Sequence, residues 1–241
     1  MLSKSQLKLI TSLRQKKYRT KENLFIAEGV KVVNEFLNSG IKTHEIFCTT
    51  DFSHSLSEDI FQFISNEELK KISLLKTPNQ VLGLFEIPEE KEIIKVGLTL
   101  VLDSISDPGN LGTIIRLSDW FGIHQIICSE TTVDCYNPKV VMSTMGSLKR
   151  VSVKYTDLKT YIKSTKLPVY AAMMNGENVY KTKLINEAIL VMGNEANGIS
   201  KEILDLITNQ ITIPRFGNKQ ETESLNVATA TAILLSEFKR V

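Results

Sequence analysis

Cysteine is scarce in this chain of 241 residues; the three present, Cys48, Cys128 and Cys135, are odd in number, and no two have metal-ligand spacing. They read as reduced structural thiols, not as a disulfide framework. Histidine is as rare, and the scatter of His44, His54 and His124 leaves no metal site to expect. No apolar run approaches the length of a membrane span. The opening residues, MLSKSQLKLITSLRQKKYR, lack the apolar core of a signal peptide, so the expected compartment is the cytoplasm. Also missing are a G-x-G-x-x-G turn and a Walker lysine with its serine or threonine, the two common signatures of phosphate-cradling loops. No repeat or low-complexity tract interrupts the chain.

What is present belongs to a folded globular protein: 42% hydrophobic and 23% charged residues, in a length suited to one large or two ordinary domains. The formal net charge is only +2, yet it is uneven. Arg14, Lys16, Lys17, Arg19 and Lys21 place five cations within eight residues, whereas residues 86–92 are mainly acidic. Such asymmetry nominates a polyanion partner. A solvated helix face is the plainer alternative.

Taken in order, residues 3–16 carry apolar side chains at helical spacing. Strands are expected at residues 24–27, 45–49 and 81–85, with helices at 28–37 and 67–72. This alternation predicts a small α/β unit. Pro88 among charges marks 86–96 as the best linker, giving an N-terminal domain over 1–90, a linker over 91–96 and a second domain over 97–241. There the alternation becomes regular. Residues 97–103 form a near-continuous apolar run, as in a strand covered on both faces, and further strands are expected at 125–128, 169–174, 188–192 and 210–214. Helices are expected at 111–121, 156–164 and 200–208, and one starts at Asn137-Pro138, a cap followed by proline at the first helical position. A mostly parallel sheet of five or six strands results. The last helix, 224–239, has small or apolar residues on nearly every side and should be buried almost all round, which suggests a homodimer.

Three loops hold candidate chemistry. In Asp107-Pro-Gly-Asn110-Leu-Gly112, Asn110 is placed to cap the next helix, and Arg116 two turns on either snorkels or points into a site. In Met192-Gly193-Asn-Glu195-Ala-Asn-Gly198-Ile-Ser200, two glycines and one carboxylate follow a buried strand, with Ser200 as the next N-cap. Glu195 would repel a phosphate at that helix start, so a neutral or cationic ligand read by backbone groups fits better. An ordinary strand-to-helix turn is the alternative. The third loop runs from Ile213-Pro214 through Gly217 to Ser224-Leu225-Asn226, where Ser224 and Asn226 are positioning candidates or simple caps.

Together, N-x-G-x-x-x-R, G-x-E-x-x-G and I-P…G…S-L-N-V resemble the three motifs of the SpoU (TrmH) branch of the SPOUT RNA methyltransferases. The resemblance runs almost continuously over 97–241, while residues 5–90 more weakly resemble that family's L30e-like RNA substrate-binding domain. It implies an α/β fold with a trefoil knot, a homodimer through the C-terminal domain, and methyl transfer from S-adenosyl-L-methionine to a ribose 2′-oxygen. It also implies cofactor contacts at Met192, Gly193, Gly198, Ile213, Leu225 and Asn226, and RNA contacts along Arg14–Lys21. In the family the motif-one arginine, here Arg116, handles the 2′-hydroxyl proton, although a guanidinium holds its own proton to a pKa above about 12. Glu195 is the rival base or a loop anchor, and Asn110, Ser224 and Asn226 are candidate positioning residues. The loop 218–223 looks longer than in compact members. Structured RNA, with 23S ribosomal RNA preferred over transfer RNA, is the expected substrate. The alternatives are a transfer RNA enzyme or a non-catalytic RNA-binding protein; a Rossmann-type nucleotide binder is disfavoured by Glu195.

Overall fold

The computed structural model describes residues 1–52, 60–90, 92–93, 97–217 and 224–240. His54, most of the expected linker and the loop 218–223 fall outside the described residues. The chain divides into two compact units, Met1–Glu90 with Asp134–Lys149, and Lys91–Val133 with Arg150–Val241.

The first unit opens with α1 (Lys4–Ser12), started by a capping box in which the Ser3 hydroxyl and the Gln6 side chain accept from each other's backbone N–H. The helix does not run on through residue 16 as its periodicity suggests. It ends at Leu13, and a second helix, α2 (Lys16–Glu22), begins at the basic stretch. Arg19 explains the break. Its Nη1 donates to the Leu13 and Arg14 carbonyls at 2.9 and 3.0 Å, serving groups that the end of α1 leaves unpaired, while its Nε and Nη2 bond Asp134.

There follow β1 (Leu24–Glu28), α3 (Val30–Leu37), β2 (Thr43–Cys48), β3 (Phe61–Phe63), α4 (Asn66–Ile72) and β4 (Val81–Glu86). The strands form one sheet in the order β1-β4-β2-β3, antiparallel except for the β2–β3 pair. Every residue of β1 is buried, so both sheet faces are covered. Leu24, Ile26, Leu82 and Leu84 pack with Ile10 and Leu13 of α1 and with Leu69 and Ile72 of α4. The opposite face carries Phe25 and Phe85, against Phe36 of α3 and Tyr136, whose ring centroid lies 5.0 Å from that of Phe25.

The second unit supplies β5 (Thr99–Leu102), α5 (Pro108–Trp120) and β6 (Gln125–Cys128) before the chain returns to the first unit with α6 (Pro138–Ser143). Asn137 caps α6 and Pro138 occupies its first turn, as the sequence predicts, yet this segment does not belong with the rest of 97–241. Aromatic packing of Tyr136 and burial of Val140 and Val141 draw it to the first sheet.

The chain then continues through β7 (Ser152–Tyr155), α7 (Leu158–Ser164), β8 (Val169–Asn178), β9 (Ile189–Met192), α8 (Lys201–Leu204), β10 (Asn209–Thr212) and α9 (Val227–Lys239). Six strands pair in the order β10-β8-β9-β5-β6-β7, every pair parallel. β5, β6 and β9 are wholly buried. The half-buried β7 and three-residue β3 lack such apolar runs and were not expected from the sequence. A cluster of Val101, Ile127, Val191 and their neighbours is closed by Leu158 and Ile162 of α7 and Ile203 of α8. Elsewhere α5 packs on α9, and Phe238 of α9 meets Tyr170 edge-on, with ring centroids at 5.3 Å.

The terminal helix is not buried all round. Val227, Ala228, Thr231, Leu234, Leu235 and Phe238 face inward, whereas Thr229 and Ser236 are exposed and Ala232 and Ile233 half-buried. One sheet covers only one side of a helix, which leaves the other side of this apolar element open.

Candidate active site

β5 and β9 lie side by side with Leu102 opposite Met192, so the loops that follow them leave the same edge together. The α5 that follows β5 packs on α9, whereas the α8 that follows β9 packs on α7. Adjacent strands with diverging crossovers create a crevice at their carboxyl ends, where open α/β sheets bind ligands.

Asp107, rather than Asn110, is the N-cap of α5; its carboxylate accepts from Asn110 N–H at 2.8 Å. That frees the Asn110 side chain for another task. Its Nδ2 donates to Glu195 Oε1 at 2.9 Å, and its Oδ1 accepts from Asn226 Nδ2, also at 2.9 Å. Asn226 in turn caps α9, its Oδ1 accepting from Ala228 and Thr229 N–H. One chain of hydrogen bonds therefore joins the three sequence motifs through Glu195, Asn110 and Asn226.

Glu195 is the centre of that chain. Oε2 accepts from Ser106 N–H, Ser106 Oγ and Asn194 Nδ2, and Oε1 from Asp107 N–H as well as Asn110. Its carboxylate thus sits at the positive start of α5, where a free anion would otherwise be favoured. Burial works to raise its pKa, but the bonds from Asn110, from its own backbone N–H and from the Ser106 and Asp107 backbones outweigh burial and hold the carboxyl below its ordinary value. A carboxylate so engaged is a tether, and a poor proton acceptor near neutral pH.

The loop folds on itself through paired bonds of 2.9 Å between Asn194 and Gly198, and Gly198 has φ +68°. A Cβ on Gly193 would overlap the backbone of Gly198 and Ile199, so only glycine fits there. Asp103 ties down the far end. Buried at the end of β5, it accepts from Ser200 N–H at 2.7 Å. Ser200 stands at the N-cap of α8, but its own side chain makes no capping bond. Sequence reading missed Asp103, whose signal is faint: a carboxylate closing an apolar strand needs a nearby donor.

The remaining candidates are placed as follows. Met192 is buried at the end of β9, Ile213 lies just past β10, and Leu225 is half exposed before the Asn226 cap. Ser224 is exposed and stands apart from the hydrogen-bond chain. Gly193 and Ile213 each stand just past a strand end, where main-chain groups leave the ladder and become available to a ligand. Such main-chain groups beside an ionised carboxylate and small glycines fit a neutral or cationic ligand such as S-adenosylmethionine better than a phosphate. An open cavity of about 680 Å³, lined by Tyr170, Glu177, Lys181, Lys183 and Gln210 among others, shares none of these residues.

Arg116 is exposed on α5. It lies about 9 Å along the axis from Asn110 and about 120° around it, and so faces away from the tethered loops. In the first unit, Arg14, Lys16, Lys17 and Lys21 are exposed. Arg19 is not: only 2% of its surface is accessible and it pairs with Asp134, which takes it out of the five cations expected to face RNA. Among the described residues no group of side chains is arranged to hold a metal ion, and no helix is long and apolar enough to cross a membrane.

Residues 97–236 match the SpoU rRNA methylase family, and residues 4–83 match the MRM3-like substrate binding domain. The chain is similar to the 23S rRNA (guanosine(2553)-2′-O)-methyltransferase RlmP of Bacillus subtilis, with 32% identity over 94% of this chain and 93% of the relative. A structure described as a TrmH-family RNA methyltransferase, from Porphyromonas gingivalis, superposes with a TM-score of 0.88 at 39% identity, covering 100% of this chain and 99% of the other. An AdoMet-bound rRNA methyltransferase from Sinorhizobium meliloti gives a TM-score of 0.86 at 28% identity, over 100% and 96% of the two chains. With its three motifs joined by one hydrogen-bond chain and a family match over more than half its length, the chain belongs to the SpoU rRNA methylase family.

Proposed function

We propose that this protein transfers a methyl group from S-adenosyl-L-methionine to a ribose 2′-hydroxyl of structured RNA, with 23S ribosomal RNA as the substrate. The observation that carries the reading is the Glu195–Asn110–Asn226 chain, which organises three separate loops around one crevice. The similarity to a 23S rRNA enzyme over nearly the whole chain supports ribosomal RNA over transfer RNA.

Bound S-adenosylmethionine supplies an electrophilic methyl group. Met192, Gly193, Gly198, Ile213, Leu225 and Asn226 form its cradle, largely through main chain. Glu195 keeps that cradle in shape and stays ionised. Arg116 orients the ribose and stabilises charge developing on the 2′-oxygen, a role that needs no proton loss from the guanidinium, and the hydroxyl proton leaves to solvent water. Asn110 and Asn226 position the loops, and the exposed Ser224, two residues before Asn226, is the candidate contact to the ribose.

Because Arg116 faces away from the tether of its own chain, it serves a site shared between two subunits. Trp120, one turn further on and 84% exposed, and the open side of α9 then form the dimer contact. The C-terminal segment forms the trefoil knot of the family, and the first unit is an L30e-like RNA-binding domain that presents Arg14, Lys16, Lys17 and Lys21 to phosphates. The protein works in the cytoplasm, where ribosomal RNA is found.

Mapping 2′-O-methyl groups in RNA from cells with and without the gene tests this reading. The expected result is one 23S position that loses its methyl group; loss from a transfer RNA instead would move the substrate, and no change would reject the activity.

A further inference from the structure

Exposed aromatic rings are few here, yet two of them meet close to the third motif. Phe216 is 81% and Tyr180 37% exposed, with ring centroids 6.3 Å apart and planes inclined by 33°. Neither is on a loose arm. Tyr180 sits in a short 3-10 turn whose cap, Asn178, accepts from Tyr180 N–H at 2.9 Å and from Thr182 Oγ1 at 2.9 Å. The strand leading to Phe216 is pinned by Thr212 Oγ1 donating to the Met174 carbonyl at 3.0 Å, and Arg215 reaches the Met174 sulfur at 3.8 Å.

Cations interleave with these rings: Arg215 precedes Phe216, and Lys181 and Lys183 follow Tyr180. Both lysines line the open polar cavity of about 680 Å³, with Thr182, Asn209 and Gln210 offering further hydrogen-bonding groups. Two rings, one of them little more than a third exposed, are too small an area to hold a protein partner, which needs roughly 800 Å² a side. They suit one planar apolar group joined to an anion. Phe216 is three residues beyond Ile213, in the same loop as the proposed cofactor cradle.

We propose that Tyr180 and Phe216 form a stacking platform for an unpaired base of the RNA substrate, with Lys181 and Lys183 taking the adjoining phosphates. This rests on the RNA reading above, and it assigns the second unit its own contact with single-stranded RNA, separate from the cations of the first. Aromatic stacking of this kind tolerates sequence, since every base has a π-face.

The test compares the whole wild-type protein with Phe216→Ala, Phe216→Trp and the Lys181→Ala/Lys183→Ala pair, using a fluorescein-labelled single-stranded RNA oligonucleotide. Phe216 is 81% exposed and lies outside the helices and strands, so its replacement is expected to leave folding intact, which far-UV circular dichroism checks. Phe216→Ala is expected to weaken RNA binding about five- to a hundred-fold, with Phe216→Trp restoring it and S-adenosylmethionine affinity unchanged by calorimetry. The lysine pair is expected to lower the salt dependence of binding while leaving stacking in place. Unchanged RNA affinity in Phe216→Ala overturns the platform. So does weakened cofactor binding, which would give the rings to the adenine, or dissociation of subunits in the ultracentrifuge, which would give them to a second copy. Wild-type protein that binds the oligonucleotide without methylating any RNA strikes the enzymatic reading alone; wild-type protein that binds no RNA removes both.

Discussion

Glu195 shows how a residue's chemistry is fixed by its neighbours. Taken alone, a carboxylate in a ligand loop is a candidate base, but with five donors on its two oxygens it is an anchor. Its pKa is lowered on folding, so the charged tether contributes stability above the unfolded carboxyl value, and that contribution is lost as pH falls through the lower folded value. Cofactor affinity measured by calorimetry against pH should therefore hold down through the ordinary glutamate range, near about 4.3, and fall only below it. Glu195→Ala leaves several donors unpaired and should weaken cofactor binding on the order of ten-fold at neutral pH. A base would behave otherwise: turnover would drop with cofactor affinity unchanged. Asp103 works in the same way at the other end of the loop, holding Ser200 N–H.

At the scale of elements, the two basic populations around α2 should separate. Replacing Arg14, Lys16, Lys17 and Lys21 with alanine should lower the slope of log affinity against log salt by about 3, with little effect on stability. Arg19→Ala should instead destabilise the protein by about 3 kcal/mol, because it strands Asp134 and two carbonyls. Denaturant unfolding and salt titration of RNA binding read the two effects apart. The Gly193 loop gives a third expectation: Gly193→Ala should abolish cofactor binding while the strands beneath stay folded by circular dichroism, since the clash is confined to the loop backbone.

These elements also mark what the sequence could and could not show. β5 and β9 were legible because a strand buried on both faces must be a continuous apolar run. The tight loop after β9 followed from its two glycines. The burial of Arg19 was hidden because its partner Asp134 lies 115 residues away, and no local pattern encodes such a pair. The same holds for Tyr136 against Phe25, the contact that draws 134–149 out of the second unit. Capping by Asp107 instead of Asn110 turned on a choice between two good caps three residues apart.

At the scale of the whole molecule, the proposed site puts Arg116 of one subunit beside the cofactor loops of another, so it requires a dimer. The exposed Trp120, with the half-buried Ala232 and Ile233 on the open side of α9, is apolar surface that a single chain leaves partly in water. Trp120→Asp should shift the protein from dimer to monomer in sedimentation and remove methyl transfer, with helix content preserved. A stable dimer in that variant would place the contact elsewhere. The central claim is methyl transfer to RNA through Arg116, and incubation of purified protein with 23S ribosomal RNA and methyl-labelled S-adenosylmethionine tests it most directly. The account predicts label on a ribose 2′-oxygen with the wild-type protein and none with Arg116→Ala, whose cofactor affinity is unchanged. Absence of label with the wild-type protein, or full labelling by Arg116→Ala, would contradict it.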